Sequence, residues 1–120
     1  MSGADREVPA MSMVRLCSTG DVAEGSARRF DVGGSRICVV HLPDAHDGRH
    51  GWYAIGDECS HADFSLAEGD VWADECEIEC PKHGSTFSLT TGEPQALPAT
   101  RPVPTYELML EGDDVMVSIR

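Results

Sequence analysis

CSHADFSLAEGDVWADECEIECPKHG, residues 59–84, is the stretch on which the reading of this chain turns. Its two ends carry Cys59-Ser60-His61 and Cys80-Pro81-Lys82-His83. Each end puts one thiolate and one imidazole on a single loop, so two such loops side by side offer two sulfur and two nitrogen donors. That set suits tetrahedral zinc, or a two-iron cluster in which two histidines replace two cysteines on one iron and raise its potential. Pro81 fixes the backbone between donors and removes an N–H. Gly84 lets the chain approach a bound group without a Cβ. Loop amides can then point at sulfide and stabilise the charge that reduction adds.

Three rivals bear on this reading. A single-residue spacer between Cys59 and His61 is unusual among zinc sites. A cysteine–histidine nucleophile needs one of each and leaves the second pair unexplained. Chance would account for either pair alone, but hardly for both with a hairpin between them.

Working outward, Val71-Trp72 and Glu77 to Cys80 read as hairpin arms around Asp74-Glu75. Ser65 to Gly69 allows one helical turn, and Phe87-Ser88-Leu89 runs into the turn Thr91-Gly92. Upstream, Met13 to Cys17 is a first short strand. Ala27 to Val32 and Arg36 to Leu42 flank Gly33-Gly34, a hairpin signal. The run Ile37-Cys38-Val39-Val40 predicts a buried strand, Pro43 to Gly51 an exposed loop, and Trp52 to Ile55 a strand leading into Cys59. Pro94, Pro98, Pro102 and Pro104 exclude a central strand or helix there. Tyr106 to Leu110 and Val115 to Ile119 alternate in period two about Gly112-Asp113-Asp114. No window keeps a helical period, so the fold class is all-β.

The 120 residues suit one domain, residues 13–120, after a frayed terminus at 1–12. The 21 acidic residues against 9 basic ones give net −12, which argues against nucleic acid or an anionic membrane as partner. A docking partner with a basic face and a purely solubilising surface both remain open. Five cysteines do not make the disulfide framework of an exported protein. With no signal-like start and no apolar span, the expected location is the cytoplasm.

Other residues weigh less. Cys17 and Cys38 lie in strand patterns as small hydrophobes, and Cys76, beside Asp74, Glu75 and Glu77, reads as a hairpin residue rather than a fifth ligand. His41, His46 and His50 flank the exposed loop. Trp52 and Trp72 read as core or interface residues. Phe64 and Lys82, on the ligand loops, are expected on a docking face with His61 and His83.

Residues 57–92, with Leu97-Pro98-Ala99 and Pro102 to Tyr106, resemble the Rieske-type [2Fe–2S] ferredoxins that serve bacterial aromatic-ring dioxygenases, including the phenylpropionate/cinnamate type. The resemblance implies an antiparallel β-sandwich or barrel base, with a small cluster-binding subdomain at about 57–92 and a proline loop at about 97–104. It implies one [2Fe–2S] cluster per chain, with Cys59 and Cys80 on the buried iron and His61 and His83 on the outer one. It further implies a monomer that is not itself an enzyme. Such a carrier takes single electrons from a flavoprotein reductase to a terminal non-haem iron oxygenase, with no nucleic acid or membrane partner. An oxygenase subunit would need a further domain holding mononuclear iron, and the chain ends too soon after these loops for one. The small Rieske subunit of an assimilatory nitrite reductase and an accessory protein of cluster assembly are the alternatives. High-potential relatives tie the two loops by a disulfide where this chain has Phe64 and Lys82, and place a tyrosine where it has Phe87. Ser85 keeps a hydroxyl for a bridging sulfide. Fewer donors to sulfur predict a potential at the low end of the Rieske range, about −150 mV.

Overall fold

The computed structural model describes residues 13–43, 51–60, 64–82 and 84–118. The expected frayed terminus, His46, His50, His61, His83 and Ile119 lie outside these residues.

Among the described residues ten strands follow in order: β1 (Met13–Ser18), β2 (Ser26–Val32), β3 (Ser35–His41), β4 (Trp52–Gly56), β5 (Asp70–Trp72), β6 (Glu77–Glu79), β7 (Thr86–Ser88), β8 (Thr105–Tyr106), β9 (Leu108–Glu111) and β10 (Asp114–Ser118). Two single 3₁₀ turns, Thr19–Asp21 and Leu66–Glu68, are the helical elements among the described residues. Every strand pair is antiparallel, and the strands make three sheets: β1-β10-β9, β2-β3-β4-β8 and β5-β6-β7. The all-β expectation holds: the first two sheets form a base, and β5-β6-β7 is a small sheet next to the cysteine loops.

The hairpin signals translate directly. Val32 pairs with Ser35 across Gly33-Gly34, both at positive φ, and Glu111 pairs with Asp114 across a second two-residue turn. Such turns match the twist of the strands they join.

The run Ile37–Val40 is fully buried because its sheet has a core on each face. Ile37 and Val39, with Trp52 and Ala54, pack against Cys17, Val115 and Val117 of the first sheet. Cys38 and Val40, with Tyr53 and Ile55, pack the other way, against Leu66, Ile78, Phe87 and Cys80. Period-two alternation therefore sends successive residues of β3 and β4 into different cores.

Two readings need correction. Tyr106 to Leu110 is not one arm: Tyr106 pairs with Ala54 of β4, whereas Leu108 begins the strand that pairs with β10. The chain changes sheets at Glu107, whose carbonyl accepts from Ser118 N at 3.0 Å. Trp72 is not core. Alternation along β5 turns its neighbour Val71 inward against the second core, leaving Trp72 46% exposed, with its indole N–H donating to Glu79 Oε1 at 2.9 Å.

Candidate metal centre

Three loops meet beside the small sheet. The first leaves β4 at Asp57, a buried carboxylate that anchors the turn at Leu66–Glu68. Its Oδ1 accepts from Ala67 N at 3.0 Å and its carbonyl from Leu66 N at 2.6 Å. Cys59 N donates to Phe64 O at 3.0 Å, closing the loop on itself. No sequence pattern marked Asp57; its place at the end of the strand leading into the first cysteine, in the acidic pair Asp57-Glu58, was the available signal.

The second loop is closed from Cys80 N to Ser85 O at 2.7 Å and from Gly84 N to Cys80 O at 3.1 Å. Gly84 sits at φ +82, so glycine is favoured there by backbone conformation. The two loops are pressed together at Gly69, where an added Cβ would stand 1.7 Å from Glu79 O.

The third loop is the proline-rich return, which includes a cis Leu97-Pro98 bond. Ala99 N donates to Ser85 Oγ at 3.0 Å, and Ser60 Oγ donates to Arg101 O at 2.5 Å, so this loop is tied to both cysteine loops. Gln95 N to Thr86 O (2.7 Å) and Val103 N to Gly92 O (2.9 Å) hold its two ends.

Within this frame Cys59 and Cys80 are both buried, and neither is in a disulfide. His61 and His83 lie outside the described residues, so two of the four expected ligands are placed. Ser85 is 1% exposed; its oxygen is taken by the Ala99 amide, and among the described residues its proton has no acceptor. Two buried thiols, pinned loop backbones and a hydroxyl with a proton to give are what a cluster with bridging sulfides requires.

The other cysteines are plainly different. Burial pushes the Cys38 thiol well above its usual value, with the Asp57 carboxylate adding to it. Cys17 is raised by burial and then by Asp21. Both are small hydrophobes, as expected. Cys76 is buried at the tip of the β5–β6 connection with φ +57, a left-handed conformation the hairpin reading did not foresee. His41 stacks on Trp52 at 4.0 Å, and its Nδ1 lies 3.0 Å from Val22 O, so it belongs to the base.

Residues 12–107 match the Rieske [2Fe-2S] domain. This chain belongs to the Rieske [2Fe-2S] family. Its cofactor is a [2Fe-2S] cluster. The Rieske chain is 38% identical over 109 residues to the ferredoxin component of biphenyl 2,3-dioxygenase from Rhodococcus jostii (strain RHA1), covering 91% of this chain and 94% of that one. It is 37% identical over 109 residues to the 3-phenylpropionate/cinnamic acid dioxygenase ferredoxin subunit of Escherichia coli (strain K12), covering 91% and 95%. Among solved structures it resembles the ferredoxin of carbazole 1,9a-dioxygenase from Nocardioides aromaticivorans IC177, with TM-score 0.81 and 35% identity over 90% of this chain and 98% of that one. It also resembles a chain in the complex of reduced oxygenase and oxidized ferredoxin in carbazole 1,9a-dioxygenase, with TM-score 0.75 and 33% identity over 88% and 92%.

Proposed function

We propose that this protein is the ferredoxin of a ring-hydroxylating dioxygenase system, carrying single electrons from a flavoprotein reductase to a terminal non-haem iron oxygenase. The observation that carries the reading is the match, along 91% of the chain, to a dioxygenase ferredoxin component of similar extent. A likeness to a ferredoxin solved in complex with its oxygenase supports the acceptor. The protein makes and breaks no bonds of its own, acts as a monomer and works in the cytoplasm. Among the described residues no helix is long and apolar enough to cross a membrane.

In this reading Cys59 and Cys80 hold one iron, and His61 and His83 hold the other. When bound, the cluster supplies a one-electron redox couple. The chain does the rest. Burial of Cys59 and Cys80 keeps water from the thiolates. The closed loop backbones keep donor positions fixed, so little reorganises between redox states. Ser85, whose oxygen accepts from the Ala99 amide, would have its proton left to donate to a bridging sulfide.

The test is an electron paramagnetic resonance spectrum after dithionite reduction, with iron and acid-labile sulfide measured on anaerobic material. The expected signal has the lowered average g value of mixed nitrogen and sulfur ligation, and His83→Cys moves it toward that of a four-thiolate cluster. Colourless protein with stoichiometric zinc, or an unchanged His83→Cys spectrum, overturns the assignment.

A further inference from the structure

Lys82 is the only lysine in the sequence, and it lies between Cys80 and His83 on the second cysteine loop. The chain has 21 acidic residues, yet among the described residues Lys82 is paired with none of them; the described ion pairs are Arg15–Asp114 and Arg29–Asp31. Its ammonium instead stands 5.1 Å from the centroid of Phe64, on the first cysteine loop. The two loops thus touch through a cation and a ring. Phe64 remains 37% exposed. The third loop, tied to both others through Ser85 and Ser60, adds Leu97 at 76% exposure and Arg101, also exposed.

We propose that Lys82, held over Phe64, is the docking charge of the electron-exit end. It receives a carboxylate on the redox partner's electron-entry surface, while Phe64 and Leu97 meet apolar surface around it. A lysine kept against a ring loses no charge, whereas one paired with an internal carboxylate would present none. Partner choice at short range is therefore opposite in sign to what net −12 suggests. Basic groups farther out on the partner answer the acidic body, and an acidic group answers the tip. The same ammonium favours the reduced cluster, which carries one more negative charge than the oxidised one. Lys82 is accordingly a positioning residue that also raises the potential.

This rests on the electron-carrier reading above, and the test separates the two. The holoprotein is reduced and then oxidised by two small outer-sphere reagents of opposite charge. Ferricyanide, standing in for a carboxylate, takes one electron to become ferrocyanide; tris(phenanthroline)cobalt(III) takes one to become cobalt(II). Lys82→Gln should lower the ratio of the ferricyanide rate to the cobalt rate by about fivefold at low salt, an effect that shrinks as ionic strength rises. Using the ratio cancels any change in driving force common to both reagents. Lys82→Arg should restore the ratio. A redox titration should show the Lys82→Gln reduction equilibrium weakened about threefold, or roughly 30 mV at 59 mV per decade. Should Lys82→Gln fail to hold its cluster, acetylation of the native holoprotein removes the same charge, since Lys82 is the sole lysine of the sequence. A coloured, reducible protein whose rate ratio survives loss of the Lys82 charge overturns the proposal alone. A protein with no cluster overturns the carrier reading first.

Discussion

The base and the ligand-bearing part of this protein are built by different means. In the base, β2 and β3 run seven residues each and pair without interruption from Ser26↔His41 to Val32↔Ser35. Beside the cysteines, β5, β6 and β7 have three residues each. A three-residue strand makes few ladder bonds, so its geometry has to be held by other contacts. Here those are the Asp57 carboxylate, the Ser85 hydroxyl, the Gly69 contact and a core that includes Cys59 and Cys80. Ladders and apolar burial hold the base. Single side chains, that apolar core and, when bound, the cofactor hold the ligand-bearing part.

The largest expected effect breaks the second half of that contrast and spares the first. Cys80→Ser should abolish visible absorption, iron and labile sulfide, while the far-ultraviolet circular dichroism of the base strands persists. Simultaneous loss of all β signal would show that the base depends on the cluster. Next, Ile37→Ala empties part of the core between the first two sheets and should cost about 2–5 kcal/mol in urea unfolding. The cluster spectrum of the protein that remains folded should not change.

Ser85→Ala should cost less, about 1–3 kcal/mol, since it leaves the buried Ala99 amide without its acceptor. Its expected signature is a lower midpoint potential, because a hydroxyl that would donate to a bridging sulfide is lost. A stability change with no change in potential would make Ser85 a tie between loops and nothing more. The smallest effect concerns pH. Burial raises the Cys38 thiol above its usual 9.0, so above that pH the unfolded chain loses a proton that the folded one keeps. Stability should fall as pH rises past 9, by at most about 1.4 kcal/mol per pH unit for this group. Cys38→Ala should flatten that slope in urea titrations at several pH values.

Legibility in the sequence divides along the same line. Gly33-Gly34 and the run Ile37–Val40 announced the base because turn chemistry and apolar periodicity are local signals. The cysteine pairs announced the centre because ligand spacing is local too. Trp72 misled because hydrophobicity alone does not say which face of a three-residue strand looks inward. Tyr106 misled because a period-two pattern is unchanged when the strand switches partner sheets. Asp57 went unread because its role depends on amides of Leu66 and Ala67, which only the folded loop brings to it.

The two-sided sheet carries a consequence for insertions and deletions. Removing one residue from β3 would exchange the clients of two separate interiors: Cys38 and Val40 would turn toward β10, and Ile37 and Val39 toward the cysteine loops. No neighbouring strand could absorb the exchange, since β4 alternates in step with β3. The length of β3 should therefore be the most rigidly kept quantity in any variant of this chain that still folds.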